Sequence, residues 1–123
     1  MPTPNFILLY VDSPAASADF YGELLQRKPV EASPTFVLFA LGSGLMLGLW
    51  SRHTVQPAAA APGGGTELAF PVERDGDVDA ACAAWKARGL SILQEPTVMD
   101  FGRTFVALDP DNHRLRVFAP AAR

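Results

Sequence analysis

The chain is poor in the side chains that form disulfides and bind soft metals. Its 123 residues contain one cysteine, Cys82, and two histidines, His53 and His113. A single cysteine excludes an intrachain disulfide and is typical of a cytosolic protein, so we expect a cytoplasmic location. These three side chains are also the only thiol and imidazole groups that the chain offers to a metal.

Long apolar runs and basic stretches are absent as well. Glycine, proline or charged residues interrupt every apolar run before the roughly 18 residues of a membrane span, and no basic segment leads into an apolar one as in a signal peptide. The formal net charge is −3, without a block of like charges. Non-specific nucleic-acid binding needs a basic stripe, so we expect neither nucleic acid nor membrane as a partner.

What the chain does contain is typical of one globular domain. Hydrophobic residues make up 49% and charged residues 19%, which argues against disorder. Domains usually have about 100–150 residues, so the length predicts a single domain over 1–123. A chain of this size buries roughly two-thirds of its unfolded surface, enough for a core without disulfides or metals.

The first half has the pattern of a βαβββ module over residues 5–50. A continuous apolar strand, Asn5–Val11, precedes Asp12-Ser13-Pro14, a capping residue followed by proline at the first helical position. The helix is predicted from Pro14 to about Arg27. Three strands are predicted after it, with Gly42-Ser43-Gly44 as a hairpin turn between the last two: Val30–Ala32, Thr35–Leu41 and Leu45–Trp50.

A second module with the same element order is predicted over residues 66–119. Residues 51–65 are rich in Ala, Pro and Gly and form the linker between the modules. The second helix is predicted over Val78–Arg88, with an N-cap in Asp75–Asp77 and Gly89 at its C-terminal end. The predicted strands are Glu67–Val72, Ser91–Gln94, Arg103–Leu108 and Arg114–Phe118. Pro71 in the first of these favours an edge strand or a strand end.

Alternation along the strands predicts which face each side chain occupies. In the first strand Ile7, Leu9 and Val11 share one face, and Phe6, Leu8 and Tyr10 share the other. In the last strand Leu115 and Val117 oppose Arg114, Arg116 and Phe118. The aliphatic faces are expected to pack under the helices. The mixed faces are expected to face a concavity, where Glu67 and Arg116 meet and where a ligand would lie.

The order of these segments resembles a known superfamily. LYVDSPAASADFYGELL, ELAFPV and FGRTFVALDPDNHRLRV are similar to the vicinal oxygen chelate superfamily of glyoxalase I, bleomycin-resistance proteins and extradiol dioxygenases. NFILLYV, DFY, KPV, LWS, FGRTF and DPDNH resemble, in that order, its phenazine-antibiotic resistance type. The resemblance implies an α+β fold in which two tandem βαβββ modules form a curved mixed sheet with a concave binding cleft. It also implies a homodimer whose clefts are each shared between the first module of one chain and the second module of its partner.

The same resemblance makes a metal site testable position by position. Enzymes of the superfamily hold a divalent metal with His, Gln or Glu at four strand positions, two in each module. The corresponding positions here are Phe6, Glu67, Arg116 and one within Leu45–Trp50, a segment without His, Gln, Glu or Asp. Arginine has no lone pair for a metal, and its charge repels one. We therefore predict no metal, no cofactor and no catalytic residue, with a metal-dependent lyase, isomerase or dioxygenase as the alternative.

The residues favour a binding protein for a planar aromatic compound, a phenazine-like antibiotic by the resemblance. Aromatic faces suit such a guest, because offset stacking adds about 0.5–1.5 kcal/mol beyond area burial. The predicted ligand-binding residues are Phe6, Tyr10, Phe36, Trp50, Glu67, Phe101, Arg103 and Arg116. Arg103 is expected at the rim of the pocket, facing a ligand carboxylate. Two alternatives stay open: the aromatic residues are core, and Glu67 with Arg116 is a structural ion pair. A binder of an aliphatic or acidic metabolite is a further alternative.

The cysteine and the histidines have structural interpretations that outweigh chemical ones. Cys82 lies on a predicted helix face beside Trp85, which is typical of a buried, inert thiol. His113 follows a polar turn, where stabilising the turn is the better interpretation than general base catalysis. His53 lies in the linker and is predicted to be a solvated loop residue.

Overall fold

The computed structural model describes residues 3–121, in two compact units that divide between Gly63 and Gly64. The first unit contains β1 (Phe6–Val11), α1 (Pro14–Leu25), β2 (Glu31–Ala32), β3 (Phe36–Gly42) and β4 (Leu45–Ser51). The second contains β5 (Glu67–Pro71), α2 (Asp75–Ala87), β6 (Ser91–Met99), β7 (Gly102–Leu108) and β8 (Arg114–Pro120). The predicted α+β class with two tandem βαβββ modules is confirmed. The division falls within the predicted linker, and the expectation of a single domain stays a prediction.

Each module folds its four strands into one mixed sheet, and the two sheets have the same topology. The strand order is β1-β4-β3-β2 in the first and β5-β8-β7-β6 in the second. β1 runs parallel to β4 and β5 runs parallel to β8, whereas the other pairs are antiparallel. β5 is therefore an edge strand of its own sheet, which is the position that tolerates Pro71.

The core of each module lies between its helix and one face of its sheet. In the first module the buried side chains of this layer are Leu9, Val11, Tyr21, Phe39, Leu47 and Leu49. In the second they are Val78, Cys82, Phe105, Leu115 and Val117. Leu9, Val11, Leu115 and Val117 among them belong to the aliphatic strand faces that alternation predicts under the helices. Burial raises the pKa of the Cys82 thiol, as the predicted structural role requires.

The helix boundaries follow local capping chemistry. Ser13 Oγ accepts a hydrogen bond from the Ala16 amide at 3.2 Å, which confirms the predicted start of α1. The helix ends two residues before the predicted Arg27, because Gln26 adopts the left-handed conformation with φ 54°. α2 begins at Asp75, three residues before the predicted start, since the Asp77 carboxylate accepts from the Arg74 amide at 3.2 Å. No helix within residues 3–121 is long and apolar enough to cross a membrane.

β6 extends five residues beyond the predicted Ser91–Gln94, to Met99. Its pairing with β7 is irregular between Ile92 and Thr97, and Pro96 lies inside this segment. The irregularity interrupts the alternation of apolar and polar residues by which a strand is recognised in a sequence. Proline is tolerated there because β6 is the other edge of its sheet.

His113 is a structural residue whose backbone takes part in the predicted turn, because its carbonyl oxygen accepts a hydrogen bond from the Asp109 amide at 3.0 Å. The Asp109 carboxylate accepts hydrogen bonds from the amides of Asp111 and His113, both at 2.8 Å. The His113 ring is buried, with Nδ1 3.4 Å from the hydroxyl of Thr66. The Asp109 carboxylate thus stabilises the turn, and the His113 imidazole contacts Thr66, the residue before β5.

His53 lies at the surface, as predicted for a loop residue, yet it has a specific partner. Its Nε2 is 2.7 Å from Asp12 Oδ1, and Arg52 Nη2 approaches the same oxygen at 3.4 Å. The His53 bond is the largest cause that lowers the pKa of the Asp12 carboxyl. The three side chains tie the segment after β4 to the end of β1.

Candidate ligand-binding faces

The first module carries an open apolar pocket on the sheet face opposite α1. Phe6 and Leu8 of β1, Phe36 of β3 and Trp50 of β4 line a volume of about 380 Å³. The rings of Phe36 and Trp50 meet edge to face, with centroids 6.0 Å apart. Phe6 is 52% exposed, so its ring is available to a guest and is not part of the core. A planar apolar molecule fits this lining better than an ion does.

Gly48 lies beneath two of the side chains that line this pocket, Leu8 and Phe36. It pairs with Leu8 in the parallel ladder of β1 and β4. A Cβ atom at this position would lie 2.6 Å from Leu8 Cδ2 and 2.9 Å from Phe36 Cζ. The glycine therefore allows these two side chains to lie directly over the backbone of β4.

Tyr10 lies further along the same face. It pairs with Trp50 in the ladder and is 41% exposed. The structure thus brings four predicted residues, Phe6, Tyr10, Phe36 and Trp50, to one face of one sheet, and adds Leu8 and Gly48 to them.

The second module carries a charged cluster on the corresponding face. Arg116 Nε and Nη2 donate to Glu67 Oε2 and Oε1 at 2.9 and 3.0 Å, and Nη1 donates to the Thr104 hydroxyl at 3.2 Å. The guanidinium also lies over the Phe101 ring, 5.8 Å from its centroid. The predicted ion pair is present, and three neighbours fix the orientation of the arginine.

Strand register shows which residues of the two modules are equivalent. In the first module Phe6 pairs with Met46 and Leu8 pairs with Gly48. In the second, Glu67 pairs with Arg114 and Ala69 pairs with Arg116. Because both ladders begin at the first residue of β1 or β5, Phe6 corresponds to Glu67 and Gly48 corresponds to Arg116. The fourth position, left open within Leu45–Trp50, is therefore Gly48.

These four positions do not fit a divalent metal. Phenylalanine and glycine offer no side-chain donor, and both oxygens of Glu67 accept from Arg116. Within residues 3–121 no group of three or more His, Cys, Asp or Glu side chains is close enough to share an ion. In place of the metal ligands of the superfamily, the first module has the apolar residues Phe6 and Gly48, and the second has the Glu67–Arg116 ion pair.

The structure corrects the prediction for Arg103. Its side chain lies on the helix side of the sheet, where Nε and Nη2 donate to Asp79 Oδ1 of α2 at 3.1 and 2.9 Å. Thr104, the next residue, points to the opposite face and binds Arg116. Arg103 therefore fastens α2 to β7 and does not face a ligand carboxylate.

Phe101, one of the predicted ligand-binding residues, lies in the turn before β7. Its ring is 44% exposed and meets Phe118 edge to face at 6.2 Å. Leu8, Gly48 and Thr104 are the residues that sequence reasoning did not select. Alternation along β7 would have separated Thr104 from Arg103, and an isolated glycine within a strand is a known sign of close approach.

The Glu67–Arg116 pair is expected to lose its contribution to stability in acid. The hydrogen bond from Arg116 is the largest cause that holds the pKa of Glu67 below its ordinary value of 4.5. A carboxyl group with a lowered folded-state pKa stabilises the fold above its unfolded pKa, and this contribution disappears as pH falls through the folded pKa. Glu67→Gln should therefore lower the free energy of unfolding in urea at pH 7 and change it less at pH 3. An equal loss at both pH values would contradict the pairing, and Glu31→Gln at the exposed strand β2 is the control.

The chain belongs to the Glyoxalase/Bleomycin resistance protein/Dioxygenase superfamily, whose family model matches residues 3–117. Among its relatives is the phenazine antibiotic resistance protein EhpR of Enterobacter agglomerans. It is 33% identical over 118 residues, which cover 94% of this chain and 90% of that protein. The predicted superfamily, and the predicted likeness to the phenazine resistance type, are confirmed.

Solved structures of similar proteins have the same fold. The solution NMR structure of a protein from Agrobacterium tumefaciens is 59% identical, with a TM-score of 0.91 over 99% of this chain and 100% of that one. The crystal structure of a glyoxalase-related enzyme from Fulvimarina pelagi is 24% identical, with a TM-score of 0.82 over 97% of this chain and 88% of that one. At that identity, the second likeness shows the fold alone.

Proposed function

We propose that the protein binds and sequesters a planar aromatic compound, phenazine-like, as a resistance-type protein that needs no metal. The main support is the set of residues at the four strand positions that correspond to the metal ligands of the superfamily. In this chain these positions are Phe6, Gly48, Glu67 and Arg116, and the last two form an ion pair. The sheet face of the first module that would contribute metal ligands in an enzyme of the superfamily is lined here by an aromatic pocket. The likeness to a phenazine antibiotic resistance protein supports the ligand class.

Tryptophan fluorescence tests the proposal, because the chain has two tryptophans in different environments. Trp50 lines the pocket, whereas Trp85 lies on α2 between the rings of Phe70 and Phe105. A Trp85→Phe variant leaves Trp50 as the only tryptophan. We expect phenazine to quench its emission with saturation, since a stacked aromatic guest would lie within contact of the indole.

The reciprocal variant is the matched control. Trp50→Phe leaves only Trp85, which does not line the pocket. Any loss of its emission therefore measures light absorption by phenazine and not contact in the pocket. Quenching of Trp85 equal to that of Trp50 would sink the proposal. Stoichiometric binding of zinc, nickel or iron, abolished by Glu67→Gln, would instead support the metal-dependent lyase, isomerase or dioxygenase.

The proposal includes a homodimer in which each cleft is shared by the first module of one chain and the second module of its partner. The exposed apolar side chains of Phe6, Leu8 and Tyr10 support a covered face on β1. Light scattering after size exclusion should give twice the chain mass of 13.2 kDa. A mass of one chain across micromolar concentrations would contradict the dimer. The single, buried cysteine favours the cytoplasm as the place of action.

A further inference from the structure

The charged cluster of the second module contains more positive than negative charge, and this excess bears on the kind of ligand that it could bind. Arg114 Nη1 also approaches Glu67 Oε1, at 3.9 Å, from the same strand face as Arg116. Two guanidinium groups therefore surround one carboxylate, which leaves a formal charge of +1. Of the two guanidinium groups, that of Arg116 lies over the ring of Phe101, a residue that is exposed to solvent.

Arg116 also retains hydrogen-bond donors after its partners are counted. A guanidinium has five N–H groups. Two bind Glu67 and one binds Thr104, so one N–H on each terminal nitrogen is without a partner among residues 3–121. The side chain is 18% exposed, so it still reaches solvent although Glu67, Thr104 and Phe101 hold it. A carboxylate accepts two such bonds from one arginine.

We propose that this face is a subsite for the anionic substituent of the aromatic ligand, with Arg116 as the residue that receives a carboxylate. The inference rests on the proposed function and names the class of ligand: a planar aromatic acid. Phe101 contacts the ring system, and Arg116 binds the acid group attached to it. Glu67 is a positioning residue, because it holds the guanidinium in one orientation while both of its own oxygens are occupied.

Isothermal titration calorimetry with two ligands of equal shape tests the subsite. Phenazine-1-carboxylate and phenazine-1-carboxamide differ in charge but hardly in size. We expect the carboxylate to bind about tenfold more tightly or better in 50 mM salt, because charge-assisted hydrogen bonds are the stronger ones. Since the cluster is partly exposed, the preference should decrease in 0.5 M salt.

Variants distinguish a direct contact between the ligand carboxylate and the Arg116 guanidinium from an effect of the net charge of the protein. Arg116→Gln should reduce the preference to about twofold or less. Glu67→Gln should increase it, because the competing negative charge is removed while an amide oxygen still accepts from Arg116. Arg74→Gln removes the same charge at the start of α2, outside the site, and should leave the preference unchanged. If Arg116→Gln unfolds, the double variant Glu67→Gln/Arg116→Gln restores a neutral hydrogen-bonded pair and should likewise show no preference.

The outcomes distinguish this inference from the function on which it rests. Equal affinity for the two ligands overturns the anionic subsite and leaves the proposed function standing. A preference that persists in both the Arg116 variant and the double variant also overturns it. Failure of both ligands to bind overturns the proposed function and the subsite together.

Discussion

Replacing Gly102 with alanine is expected to destabilise the protein by about 3 kcal/mol or more. Gly102 has φ 136°, a conformation that side chains with a Cβ rarely adopt. An added Cβ would overlap the carbonyl oxygen of Ala119 and lie 2.8 Å from the amide nitrogen of Ala121. Both contacts are backbone atoms, one in β8 and one just after it, so no side-chain rotation relieves them. A loss of this size is a large part of the 5–15 kcal/mol that usually stabilises a domain.

Urea unfolding followed by circular dichroism measures this effect, with Gly76→Ala as the matched control. Gly76 lies in the first turn of α2, where an added Cβ meets nothing within 4 Å among the described residues. Alanine there should be neutral or stabilising by up to about 1 kcal/mol. A Gly102→Ala protein as stable as the Gly76→Ala protein would show that the start of β7 is not constrained as described.

Replacing Gly48 with alanine is expected to weaken ligand binding about tenfold or more while the chain still folds. The added Cβ meets the ends of the Leu8 and Phe36 side chains, which can rotate away, and not the backbone. Overpacking of this kind typically costs about 1–3 kcal/mol of stability. The displaced side chains are two of the four that line the pocket, so the shape offered to a planar guest is lost. This expectation depends on the proposed function.

Titration of phenazine into a Trp85→Phe background, with and without Gly48→Ala, measures the loss through Trp50 emission. Gly65→Ala is the control, because a Cβ there meets nothing within 4 Å among the described residues and the backbone is not left-handed. Wild-type affinity in a folded Gly48→Ala protein would place the ligand elsewhere than in this pocket.

The two equivalent positions Gly48 and Arg116 show how one fold can carry different chemistry. The register places them at the same point of the two sheets. In the first module the position has no side chain, and neighbouring apolar groups cover it. In the second it holds a cation fixed by Glu67, Thr104 and Phe101. The fold alone therefore does not decide between catalysis and binding, and the side chains at these positions do.

Much of the fold was predictable because it depends on neighbours in the chain. Ser13 and Pro14 start α1 through a local hydrogen bond and a fixed φ angle. The turn Gly42-Ser43-Gly44 requires positive φ angles, and all three residues adopt them. Alternation along β1 separates Leu9 and Val11 of the core from the exposed Phe6, Leu8 and Tyr10.

The candidate site was only partly predictable, because its residues meet across strands. The Glu67–Arg116 pair followed from the face of each strand, whereas its bidentate geometry and its bond to Thr104 required the register of β5, β7 and β8. The predicted role of Arg103 was wrong, because alternation along β7 places its side chain on the helix side of the sheet, where it donates to Asp79. The length of β6 was missed because its bulged pairing with β7 hides the alternation.

The sequence by itself determined the module order, the start of α1, the aliphatic faces and the small number of possible metal ligands, because these depend on residue types and on spacing along the chain. Only the tertiary structure decided that Gly48 lies under Leu8 and Phe36, that Arg116 keeps two unused donors, and that Arg103 faces α2. Such facts depend on contacts between residues 12 to 49 positions apart in the chain, which strand pairing and helix packing alone bring together.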